Sequence, residues 1–144
     1  MKRNFVLGVI AFLTVIISSC GDSESRTQPY CIVEITGKVQ DTRGAGLGNT
    51  VINGRISSNM DKIFSTSTKS SGEYTLRFEI TQKEEFEDFL LSLEAKDNLD
   101  RYESEAAILQ FKAEDFKGYN KKDEYYKGTA TATKDFVLKI NNLN

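Results

Sequence analysis

Across residues 74–80 every second side chain is apolar (Tyr74, Leu76, Phe78, Ile80), and the three between them, Thr75, Arg77 and Glu79, are polar. A period of two sends successive side chains to opposite faces of a pleated chain, so the segment predicts a β-strand with one buried face and one wet face. Six further segments carry weaker versions of the pattern, at residues 31–40, 50–57, 62–68, 89–95, 107–113 and 128–141. In the last of them Phe136, Leu138 and Ile140 are expected to face inward. Turn signals separate the segments: Gly44, Gly46 and Gly48 after the first, Lys69-Ser70-Ser71-Gly72 before residue 74, and Asp97-Asn98-Leu99-Asp100-Arg101 after the fifth. Seven short strands punctuated in this way predict an all-β fold, a seven-stranded antiparallel β-sandwich whose sheets each bury one face against the other. For residues 106–116 a helix is the alternative, because Glu105, Ala106 and Ala107 tolerate one.

The start of the chain follows a different rule. Lys2 and Arg3 precede an apolar run over residues 5–17, and Ile17-Ser18-Ser19-Cys20 sets two small residues before a cysteine. This is the three-part form of a secretory leader, and the terminal cysteine predicts cleavage before Cys20 with lipid attached to its thiol. The 13-residue run is too short for a spanning helix, which needs roughly 20 apolar residues, whereas two or more acyl chains anchor a protein stably. The expected plan is a helical signal peptide at 1–19, a lipidated N-terminus and polar spacer at 20–30, and the sandwich at 31–144. Cleavage leaves 125 of the 144 residues, enough for one domain. The expected location is the bacterial cell envelope, anchored to the outer membrane and facing either the periplasm or the surface, with the lipid bilayer as partner through acylated Cys20.

Composition then narrows the chemistry. Loss of Lys2 and Arg3 leaves 17 basic against 21 acidic residues, a net charge of −4, and no basic patch suited to a phosphate backbone, so no nucleic-acid partner is expected. There is no histidine in the chain. That removes the commonest general base, the Ser-His and Cys-His dyads and the usual zinc ligands. No cofactor, no catalytic residue and no enzymatic activity are expected. Of two cysteines, Cys31 remains after lipidation of Cys20 and is read as a small buried hydrophobe, with an intermolecular disulfide or a modified thiol as the alternatives. Asp97 and Asp100 are the only candidate metal ligands, oxygen donors in a loop that lacks the turn glycine and closing glutamate of a calcium site. Tyr119, Tyr125 and Tyr126, interspersed with Lys121, Lys122 and Lys127, are the candidate ligand contacts, since tyrosine joins an apolar ring to a hydrogen-bonding tip.

Two stretches resemble known families. Ile35-Thr36-Gly37-Lys38-Val39-Gln40-Asp41, followed by the glycine loop and Val51, resembles the opening of carboxypeptidase-regulatory-like and transthyretin-like sandwiches. Thr66-Ser67-Thr68-Lys69-Ser70-Ser71-Gly72-Glu73-Tyr74-Thr75-Leu76 resembles their middle, where a turn glycine precedes an aromatic that begins a strand. On that reading Gly37 permits close packing, Gly72 makes the turn and Tyr74 starts the buried face. Cys20, Pro29-Tyr30 and Tyr125-Tyr126-Lys127-Gly128 ahead of the last strand further resemble the radical SAM-associated lipoproteins of Bacteroidota, although Asp97-Asn98-Leu99-Asp100-Arg101 lacks the glycine of that family's loop. The resemblance implies an envelope location and association with a radical SAM enzyme. The expected function is a membrane-anchored binding or structural module recognising a peptide, a glycan or an envelope protein. The alternative is a partner or substrate of a radical SAM modifying enzyme, altered at Cys31 or near Pro29-Tyr30.

Overall fold

In a computed structural model the chain is described at residues 27–81 and 88–142. The leader, Cys20 and most of the acidic segment before residue 89 lie outside the described residues. Among the described residues there are eight strands: β1 (Tyr30–Asp41), β2 (Thr50–Ile56), β3 (Asn59–Ser67), β4 (Glu73–Ile80), β5 (Phe89–Asp97), β6 (Glu105–Phe111), β7 (Tyr126–Thr133) and β8 (Phe136–Leu138). They form two four-stranded sheets packed as a sandwich. One runs β4-β1-β7, with β8 also on β1, and the other runs β3-β2-β5-β6.

The core is built by the alternation that the sequence carries. Cys31, Val33, Ile35 and Val39 of β1 turn inward beside Tyr74, Leu76, Phe78 and Ile80 of β4. They meet Ile52 and Ile56 of β2 and Phe89, Leu91, Leu93 and Ala95 of β5 from the opposite sheet. Phe64 of β3 stacks on Phe78 of β4 with ring centroids 4.0 Å apart, closing one flank between the sheets. The other flank is closed where Tyr102 pairs with Ile140 and the Glu103 N–H donates to the Lys139 carbonyl at 2.8 Å. Beside that seam the Glu105 carboxylate accepts the Val137 N–H at 3.0 Å, so a side chain satisfies an amide of β8 that no strand covers.

Three details depart from the expectation. The segment expected as one final strand is two, β7 and β8, although the register along β1 is the same on both sides of the break (Ile35 opposite Ala132, Val39 opposite Phe136). The break sits at Lys134 and Asp135: the Lys134 carbonyl turns into the core over Gly37 and accepts the Tyr74 hydroxyl at 2.6 Å, and Asp135 Oδ1 accepts the Lys38 N–H at 2.7 Å. Both β7 and β8 run parallel to β1 while the other pairings are antiparallel. A parallel pair needs a long crossover, and here most of the domain supplies it. Finally, Phe136 and Leu138 are buried but Ile140 is 54% exposed, because its backbone pairs with Tyr102 beyond the end of the sheets. The helical alternative for residues 106–116 reduces to a single 3-10 turn, Ala113–Asp115, after β6.

Candidate functional site

The sandwich has two chemically different ends. β1 starts at one and finishes at the other, and its 12 residues separate them by about 40 Å at the strand rise of 3.3 Å per residue.

At the end where β1 starts, the candidate tyrosines come together around a residue that sequence reasoning had not placed among them. The Tyr30 ring lies against Tyr126 with centroids 5.5 Å apart, and the Tyr30 hydroxyl donates to Asp123 Oδ2 at 2.7 Å. The Tyr30 N–H donates to the Tyr125 carbonyl at 2.8 Å, and Asp123 Oδ1 accepts the Tyr125 N–H at 3.1 Å. Tyr126 is half-buried, its hydroxyl 2.6 Å from Thr129 Oγ1. Tyr119 stands out at 59% exposure, with the Lys127 ammonium 5.9 Å from its ring centre. Tyr30 thus staples the loop ahead of β7 to the point where the chain enters the domain. The available signal was its position: an aromatic just after the only proline, opening the first strand.

Behind this loop Cys31 is 1% exposed. It lines a cavity of about 90 Å³ with Ala113, Phe116 and Lys127, and nearby Phe89 stacks on Phe111 at 5.2 Å and approaches Phe116 at 6.4 Å.

At the opposite end two strands finish in buried aspartates. Asp41 closes β1 and receives the Arg43 side chain through Nε at 3.1 Å and Nη2 at 2.9 Å. Asp97 closes β5 and receives Arg101 through Nε at 3.0 Å and Nη2 at 2.9 Å. The carboxylates are 2% exposed while the arginine side chains are 77% and 54% exposed. Each aspartate is held below the usual carboxylate value, chiefly by its arginine hydrogen bonds. Each arginine is raised in return by its aspartate, with Tyr102 as a smaller common contribution. The Tyr102 ring lies 5.8 Å from the Arg101 guanidinium. Leu99 and Ile140 stand exposed at the same end, at 66% and 54%. Asp97 is therefore committed to Arg101, whose N–H also donates to it at 2.8 Å. Asp100, at positive φ in the turn, faces Lys96 at 3.7 Å. Among the described residues no group of three metal-ligating side chains gathers.

No family model matches the chain, and no curated protein does. Solved structures do resemble it in shape. A 3-chlorocatechol 1,2-dioxygenase from Rhodococcus opacus 1CP is similar with a TM-score of 0.52 and 13% identity over 82% of this chain, which spans 62% of that one. The dioxygenase domain of a dioxygenase carbohydrate-binding protein fusion from Streptomyces sp. SirexAA-E gives 0.50 at 12% identity, covering 81% of this chain and 85% of that one. A C-terminal fragment of the pilus adhesin SpaC from Lactobacillus rhamnosus GG gives 0.50 at 11%, covering 81% and 47%. Likeness at this identity shows the fold alone: a mostly-β sandwich that occurs in dioxygenase and adhesin chains. The expectation of no enzymatic activity is corrected on this ground. Sandwiches of this shape occur in dioxygenases, so the architecture does not exclude catalysis. The radical SAM and lipoprotein resemblance gains no support from these comparisons.

Proposed function

We propose that this chain is an envelope lipoprotein, tethered through acylated Cys20, whose sandwich presents the Arg43–Tyr102–Arg101 end to a protein or peptide partner carrying carboxylates. One observation carries the reading: two exposed arginines, each locked by a buried aspartate, stand at the same end of the sandwich as exposed Leu99 and Ile140, with the Tyr102 ring 5.8 Å from the Arg101 guanidinium. Arginine and tyrosine are the residues that anchor interfaces. Fixing each guanidinium beforehand removes part of the side-chain entropy that binding otherwise costs. The adhesin fragment with the same fold is compatible with such a role. The alternative, a substrate of a radical SAM enzyme modified at Cys31, requires the thiol to be reached before the domain folds, since it is 1% exposed.

Binding to an array of acidic, neutral and basic peptides tests the recognition surface. Acidic peptides should be retained, with at least a tenfold loss for Arg101→Ala or Leu99→Asp and none for Tyr119→Ala. Retention that ignores the first two substitutions would refute the assignment. Metabolic labelling with a fatty-acid analogue tests the tether separately, because uptake by Cys20→Ala would remove it.

A further inference from the structure

The loop ahead of β7 has a charge opposite to that of the domain carrying it. Residues 117–127 contain Lys117, Lys121, Lys122 and Lys127 against Asp123 and Glu124, while the processed chain is net negative. One of the two acids is turned to internal use, the Asp123 carboxylate being taken by the Tyr30 hydroxyl and the Tyr125 N–H, while exposed Glu124 offers its backbone carbonyl to the Lys127 ammonium at 2.8 Å and the four lysines still outnumber the acids. All four lysines are exposed, and Tyr119 projects among them. Through Tyr30 this patch is fastened to the place where the chain enters the sandwich.

From these facts we infer that the Tyr119–Lys121–Lys122 face docks on an anionic phospholipid surface, so that the domain stands on its bilayer with the arginine end pointing away. The inference rests on the tether proposed above. The ten chain steps from Cys20 to Tyr30 reach at most about 35 Å fully extended, so a lipid at Cys20 keeps this end within that distance of the headgroups. Tyrosine and lysine are suited to that layer, the ring lying at the headgroup level and the ammonium reaching phosphate. Each lysine near an anionic leaflet favours the docked state by about fivefold, and the tether keeps the patch at high effective concentration. Docking also orders the two ends by role, since the arginines are then about 40 Å from the membrane along β1.

The test couples the processed chain, through Cys20, to a maleimide phospholipid in vesicles of phosphatidylcholine alone or mixed with phosphatidylglycerol. Cys31, at 1% exposure, does not compete for the reagent. Lysine acetylation rates are then read residue by residue. On the anionic vesicles Lys121 and Lys122 should be acetylated about fivefold more slowly than on the neutral ones, while Lys69 at the far end is unchanged. Lys121→Glu with Lys122→Glu should restore the neutral-vesicle rate at Lys117 and Lys127. Equal rates on both vesicles would overturn the docking face, and so would equal slowing of Lys69. Because the tether is supplied chemically, this result is independent of the labelling experiment. A chain that docks here but takes up no fatty acid in cells keeps the face and loses the natural anchor, and a labelled chain with a uniform footprint does the reverse.

Discussion

Replacing Gly37 with alanine should be among the most damaging small changes in the domain. A methyl group built there falls on the Lys134 carbonyl, 2.7 Å from its carbon, with Tyr74 Cε1 at 2.9 Å. Carbon atoms prefer separations of about 3.5–4.0 Å, so the Lys134 peptide must retreat by roughly an ångström. Lys134 is held on both sides: its carbonyl accepts the Tyr74 hydroxyl at 2.6 Å, and its N–H, in the preceding peptide, donates to the Thr36 carbonyl at 2.9 Å. Tyr74 is 3% exposed, and burial, with the charge of Asp135 second, pushes its phenol well above the usual value. A hydroxyl in that position that loses its acceptor cannot turn to water. Overpacking costs about 1–3 kcal/mol and a stranded buried hydroxyl about 1–3 kcal/mol, so the expected loss is about 2–6 kcal/mol. Urea unfolding followed by far-UV circular dichroism measures it, since the chain has no tryptophan to report. Tyr74→Phe alone should cost about 0.5–1.5 kcal/mol and much less on the Gly37→Ala background, because the two changes remove the same hydrogen bond. A Gly37→Ala loss below about 0.5 kcal/mol, or strict additivity with Tyr74→Phe, would refute the close approach.

Other expectations follow from the same contacts. Phe136→Ala removes a ring with no exposed surface and should cost about 3–5 kcal/mol, read as a lower urea midpoint. Tyr30→Phe deletes the hydroxyl bonded to Asp123; it should cost about 0.5–1.5 kcal/mol and speed amide exchange at Tyr125 ahead of the sheet amides. Asp97 has a lowered folded-state pKa, so its pairing stabilises the domain fully above its ordinary value of 3.8 and is lost as pH falls below that through the folded value. The stability deficit of Asp97→Asn against the parent should therefore be full at neutral pH and shrink on acidification below 3.8; a constant deficit would remove the ion pair as its cause. Glu105→Ala frees the Val137 N–H and should raise concentration-dependent association, seen in sedimentation velocity, if the carboxylate shields that edge.

Much of the architecture could be read from local pattern because a strand's two faces are written in adjacent residues. The 74–80 alternation reappears as buried Tyr74, Leu76, Phe78 and Ile80. Gly72 carries φ of +86°, and Gly37 lies under the Lys134 carbonyl, as the sandwich resemblance implied for both. The candidate site was legible only in part. Tyr125 and Tyr126 do gather at one end, but Tyr30 is 93 residues away from its partner Asp123, and no spacing rule joins them. Arg43 and Arg101 escaped notice because each lies in an ordinary polar turn until the fold buries the aspartate that holds it and brings both to one end of the sandwich.

Taken alone, the amino-acid order determined that the chain would form strands, where most of them turn and which side chains face inward, since these depend on neighbours within a few residues. Tertiary structure decided that the last strands run parallel to the first, that Lys134 bends into the core, and that tyrosines and arginines occupy opposite ends. Those outcomes depend on which distant segments lie side by side, and pairing across a sheet is a contest among whole-chain arrangements that local periodicity does not encode.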